Sequence, residues 1–130
     1  MQVQNELQEP VKDEHAAHPI PSVWRPVLRD VIKAFVDGDY ALVRAPRTVA
    51  PLSATSRDRI AAYIAKYGQT LAELPDDTWR TSVSQWMGTH WDVLVDLWTV
   101  ESGASDMVLS ARVFEMEEGF RFVVDSVHVP

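Results

Sequence analysis

The sequence predicts an α+β domain in which two N-terminal helices pack on one face of a C-terminal antiparallel sheet of three to four strands ending in a meander. Residues 22–37 carry apolar pairs every four positions, which is a helical period. Residues 91–129 instead alternate apolar and polar side chains in three runs separated by short turn sequences. A length of 130 residues and an apolar content of 46% suit one core.

In the first helix Val23/Trp24, Val27/Leu28, Val31/Ile32 and Phe35/Val36 make one wide stripe, with Ser22 as N-cap, Pro26 in the first turn and Gly38 as the stop. Arg25, Arg29 and Lys33 run beside the stripe as a solvated flank. Pro46 and Pro51 break any long element between 39 and 52, although Tyr40–Val43 suits a short strand. A second helix is expected over 56–67. Thr55 and Asp58 would form its capping box, Ile60, Ile64 and Tyr67 its apolar face, and Gly68 its end. After the turn Pro75-Asp76-Asp77, residues 79–87 alternate weakly and suit a first long strand, with Val83 and Met87 on one side and Ser82, Ser84 and Trp86 on the other. The first nineteen residues lack the basic start and apolar run of a secretory signal and read as a polar, mobile tail. The expected organisation is a disordered tail over 1–19 and a single domain over 20–130.

The meander strands, 91–99, 106–116 and 120–129, fix their own register because a one-residue slip turns every side chain to the wrong face. Pairing Val93 with Ala111 and Ala111 with Ser126 puts Trp91, Val93, Val95, Leu109, Val113 and Val124 on a nearly apolar inner face. The same register aligns Asp92, Arg112 and Asp125 in a row on the other face, near Leu94, Asp96, Trp98, Phe114 and Val127.

Three roles compete for that row. It can be a set of cross-strand ion pairs contributing about 0.2–1 kcal/mol each. It can be part of a partner-binding face in which the aromatic and aliphatic neighbours act as anchors. As a catalytic group it would be poor, because an arginine between carboxylates lowers their pKa and weakens them as acids and bases near neutrality. The candidate binding residues are therefore Asp92, Leu94, Asp96, Trp98, Arg112 and Asp125, and no catalytic residue is assigned.

His15 and His18 fall in the tail, His90 shares a face with Asp92, and His128 is expected inward opposite Leu109. None has the companions of a metal site, and structural roles are expected. There is no cysteine, no nucleophile elbow, no phosphate-binding loop and no zinc-protease motif, so no metal or cofactor is expected. Of the five tryptophans, Trp86 and Trp98 are pushed outward by the alternation, and the irregular 39–52 segment is expected to cover them.

The net charge of −7 is uneven: residues 20–80 hold nine basic and seven acidic side chains, whereas residues 81–130 hold two basic and eight acidic. Such a sheet half disfavours nucleic acid and suits a protein partner with a basic surface. No apolar run approaches the ~18 residues of a membrane span. Lack of cysteine fits a reducing compartment, so a cytoplasmic location is expected.

The stretches VWRPVLRDVIKAFVDGDY, YIAKYGQTLAELPDDTW and WDVLVDLWTVESGASDMVLSARVFE resemble a family of uncharacterised small bacterial proteins, a domain of unknown function, over about residues 20–130. The resemblance implies no activity and no functional residue. Helices first and a curved antiparallel sheet last is also an order similar to the cystatin-like and NTF2-like folds. Together these readings lead to a non-enzymatic interaction module, inhibitor or immunity-like, that uses an acidic sheet face. The alternatives are a small-molecule or hydrolytic pocket of NTF2-like type and a structural subunit, for which a homodimer would be expected.

Overall fold

The computed structural model describes residues 8–130. Strand β1 (His18–Pro19) leads through a 3₁₀ turn, Ser22–Trp24, into helix α1 (Arg25–Val36), and helix α2 spans Ala54–Tyr67. A second 3₁₀ helix, Asp76–Arg80, precedes strands β2 (Val83–Trp86), β3 (Trp91–Thr99), β4 (Gly103–Met116) and β5 (Gly119–His128). All five strands form one antiparallel sheet in sequence order. The sheet thus has five strands rather than three to four, because β1 comes from the N-terminal segment, which has no strand pattern of its own.

Both helices are where the apolar period places them. In α1 the side chains of Leu28, Val31, Ile32 and Phe35 are buried against the inner sheet face, which presents Trp91, Val93, Val95, Leu97, Leu109, Ala111 and Val113. Ser22 opens the 3₁₀ turn instead of capping α1, and its Oγ accepts from the backbone N–H of Gln8. In α2 the cap is Ser53, whose Oγ accepts from Ser56 N–H, so the Thr55–Asp58 capping box is not used. Gly68 ends α2 at φ +84°, a left-handed conformation that favours glycine. Residues 40–43 form a turn rather than a strand. Leu42 there has φ +61°, and the Asp39 carboxylate accepts from the backbone N–H groups of Val43 and Arg44.

Three parts of the predicted sheet are corrected. Residues 79–87 are not one strand: Trp79 belongs to the second 3₁₀ helix, and β2 starts only at Val83. Trp86 pairs with Trp91 and so lies on the inner face, its ring 4.6 Å from that of Trp91. The β3–β4 register is as predicted from Trp91 to Asp96, with Trp91 opposite Val113, Val93 opposite Ala111 and Val95 opposite Leu109. Beyond it the ladder shifts and Trp98 pairs with Ala104, in a β4 that starts at Gly103 and not at Asp106. The β4–β5 register is not as predicted. A bulge between Ser110 and Ala111 pairs Ser110 with Ser126 but Ala111 with Val124. One extra residue on β5 at Asp125 lets both Val124 and Val127 point inward, three positions apart. Val127 is therefore core, and His128 pairs with Val108 instead of facing Leu109.

Residues 8–19, read from sequence as part of a free tail, lie along the domain; residues 1–7 fall outside the described part. Val11 O accepts from Trp91 Nε1–H at 3.0 Å, Lys12 Nζ sits 5.1 Å from the Trp86 ring centre, and Gln85 donates to Glu14 O. These contacts are invisible to a composition argument, because main-chain carbonyls and one lysine stem supply them. The segment between the helices docks on the far side, where Ala50 N–H donates to Phe122 O and Phe122 N–H to Thr48 O.

Three carboxylates, the half-buried Asp13 and Asp39 and the exposed Glu101, clip loops in place. Asp13 is held below the usual carboxylate range by its hydrogen bond with His18, Asp39 by the Arg44 and Val43 amides, and Glu101 by the Thr70 hydroxyl and amide. A depressed folded-state pKa gives stability that is present above the unfolded value, near 4, and lost as pH falls through the lower folded values. Thermal midpoints should accordingly be flat from about pH 7 to 5 and drop below about pH 4. A midpoint that rises on acidification would show that these clips contribute nothing.

Candidate functional site

The sheet face opposite the helices carries the side chains alternate to the core set: Val83 and Gln85 on β2, Asp92, Leu94, Asp96 and Trp98 on β3, and Ser110, Arg112 and Phe114 on β4. Leu94 is 39% exposed in the middle of it. The structure divides the six sequence-predicted residues into two clusters with Leu94 between them.

The first cluster is the predicted row, altered by the β5 bulge. Arg112 faces Asp92 across β3–β4, as expected, but its β5 partner position is Val123. Asp125 still reaches it, and the guanidinium donates from Nε at 3.1 and 3.0 Å and from Nη2 at 2.8 Å. This fork, together with the nearby Asp92 charge, raises the pKa of Arg112 above its ordinary value. Asp92 itself pairs with His90, Nε2 lying 3.1 Å from Oδ1, while His90 Nδ1 is 2.8 Å from Thr89 Oγ1. A neutral ring protonated on Nε2 satisfies both neighbours. Phe114 joins the halves, with the His90 ring 5.2 Å from its ring and the Arg112 guanidinium carbon 5.6 Å from its centre. Because Arg112 and Asp125 are partly exposed, their pair contributes on the order of 1 kcal/mol or less.

The second cluster sits at the opposite end of the face. Asp96, Trp98, Ala104 and Ser105 meet Asp77 and Arg80 of the second 3₁₀ helix, and Thr81 just after it, around an open groove of about 520 Å³. Asp96 is anchored through its main chain: its N–H donates to Ser82 Oγ at 2.9 Å and its carbonyl accepts from Thr78 Oγ1 at 2.5 Å. Opposite it the β3–β4 ladder shifts between Asp96 and Trp98, and Ser105 Oγ donates to Leu97 O. Trp98 thus borders the 3₁₀ helix, not the 39–52 segment expected to cover it. Its Nε1 is buried and has no hydrogen-bond partner among the described residues. Asp77, Arg80 and Thr81 escaped the sequence reading. The available signal was the Pro75-Asp76-Asp77 start, with acids in a first helical turn, which was read as a simple turn.

Among the described residues no group of His, Cys, Asp or Glu is arranged to hold a metal ion, and no helix is long and apolar enough to cross a membrane. No curated protein and no solved structure matches the chain. The helix–sheet unit that carries both clusters does have a family: residues 32–130 match the one described as a domain of unknown function, DUF7668, and the chain belongs to it.

Proposed function

We propose that this DUF7668 member is a non-enzymatic protein-interaction module, inhibitor or immunity-like, that binds a partner with a basic surface through the outer face of its sheet. The observation that carries the reading is the setting of Leu94, an exposed aliphatic side chain on a strand face among Asp92, Asp96 and the Arg112–Asp125 pair. An apolar centre with charged surroundings is the anatomy of a recognition patch. The NTF2-like pocket needs a hollow on the inner side of the sheet, and Trp24, Val31 and Phe35 fill that side. A phosphate backbone would meet carboxylates on the outer face, so nucleic acid is a poor fit. Lack of cysteine agrees with a reducing compartment such as the cytoplasm.

The test is affinity capture with wild type and with an Asp92→Ala, Leu94→Ala double variant of unchanged circular dichroism. At least about tenfold lower recovery of the partner is expected for the variant. Equal recovery of every captured protein would sink the proposed face. Sedimentation at low micromolar concentration distinguishes self-association: a dimer lost in the same variant would replace the basic partner by a second copy.

A further inference from the structure

We infer that the groove between the 3₁₀ helix Asp76–Arg80 and the β3–β4 hairpin receives one cationic side chain, an arginine guanidinium or lysine ammonium, presented by a partner chain. That the source is a partner's side chain rests on the interaction reading above; the preference for a cation rests on the groove itself.

Three aromatic rings among the described residues, the partly exposed Trp86 and Phe114 and the buried Trp79, carry cations of this chain. Lys12 lies over Trp86, Arg25 and Arg29 lie over Trp79 at 5.6 Å each, and Arg112 lies over Phe114. Among the described residues no cation lies over Trp98, which borders the open groove. Beside it the Asp96 carboxylate makes no ion pair or hydrogen bond among the described residues, while the two main-chain bonds of Asp96 fix where that carboxylate starts from. Asp77 supplies a second carboxylate. Its pair with Arg80 spans 3.6 Å between two well-exposed side chains and is easily exchanged. Thr81 and Ser105 add hydroxyl groups that can accept from an ammonium or guanidinium. An indole face beside a carboxylate with no protein partner is the chemistry that recognises a cation rather than an anion or a neutral group. Arg80, also lining the groove, would compete with the incoming charge. The net −6 of residues 81–130 favours the approach of a basic chain and disfavours a second copy of this one.

The groove is tested by ¹⁵N spectra of the intact protein, in which the Trp98 indole N–H signal is assigned by its loss in Trp98→Phe. The probes are a short arginine-containing peptide, the same peptide with citrulline, and arginine amide. The arginine peptide should shift the Trp98 signal saturably, and Asp96→Asn, which preserves shape, should weaken it by about tenfold or more. Arg80→Gln should tighten it a few-fold by removing the competitor. Equal response to the citrulline peptide, or unchanged affinity in Asp96→Asn, would overturn the cation site. Arginine amide binding as tightly as the peptide would overturn the side-chain source. Partner capture separates the two readings. Loss of the partner in Asp92→Ala, Leu94→Ala but not in Asp96→Asn removes the groove and keeps the face; a peptide-filled groove with full partner recovery by the double variant removes the face.

Discussion

Replacing Trp24 by alanine is expected to lower the unfolding free energy by about 3–5 kcal/mol, the range for deleting a fully buried large aromatic side chain. Trp24 has no solvent exposure and is packed edge-on against Trp91, Phe120 and Phe122, with ring centres 5.2, 5.3 and 6.2 Å away. It lies at the entry to α1, so its ring joins the helix layer to both ends of the meander. Domains of this size have about 5–15 kcal/mol in total, so the loss is a large share of the stability. Urea titration would read it as a lower midpoint with an unchanged slope. The control is the preceding residue: Val23 is 56% exposed, and Val23→Ala should stay within about 0.5 kcal/mol of wild type. Equal midpoints for the two variants would mean that the aromatic cluster does not hold the layers together.

Ser82→Ala should cost about 1–3 kcal/mol despite removing a single oxygen atom. Ser82 is buried, and its hydroxyl accepts from the Asp96 amide at a point where β2 has not yet begun to pair with β3. Thr78, with no exposure, completes the arrangement by donating to the Asp96 carbonyl. Two side chains thus take the place of a missing strand residue. Deleting the Ser82 hydroxyl leaves the amide of half-buried Asp96 without that acceptor, and deleting the Thr78 hydroxyl leaves its carbonyl without that donor. Thr78→Val keeps the volume and should cost a similar amount. Since Thr78 and Ser82 also touch through their hydroxyls at 3.3 Å, the double variant should fall short of the sum of the single ones. Strict additivity in denaturation experiments would show that they do not act as a unit.

The β3–β4 pair is readable from residues alone between Trp91 and Asp96, because alternation is unbroken there: Trp91, Val93 and Val95 face Val113, Ala111 and Leu109 as pattern matching predicts. The β4–β5 pair is not: the predicted register is off by one residue on the His128 side of the bulge and by two on the Phe122 side. Nothing in the string Val123-Val124-Asp125-Ser126-Val127 marks Asp125 as the bulge, since every register offers a valine to the core. Arg112 still meets Asp125 because its stem is long enough to reach two residues along β5 from its own partner Val123, whereas Asp92 turns to His90 instead. Trp98 was placed on the correct strand face, but its neighbours were not foreseen. They come from a five-residue 3₁₀ helix held by Thr78 and Ser82, and such side-chain-to-main-chain bonds leave no periodicity to read.

The margins of the sheet carry a separate consequence. One margin ends in a two-residue strand whose second member is a proline, and the other has Phe122 bonded through both its amide and its carbonyl to residues 48 and 50. Along β3 beyond β2, the carbonyl of Trp98 is taken by Ala72, and Val100 donates to Thr70. At these places main-chain groups that could template another strand are bonded within the chain, one of the ways in which sheet proteins limit edge-to-edge growth. Recognition by this domain then depends on side-chain chemistry, so point changes on one face can retune its choice of partner without altering the backbone that presents them.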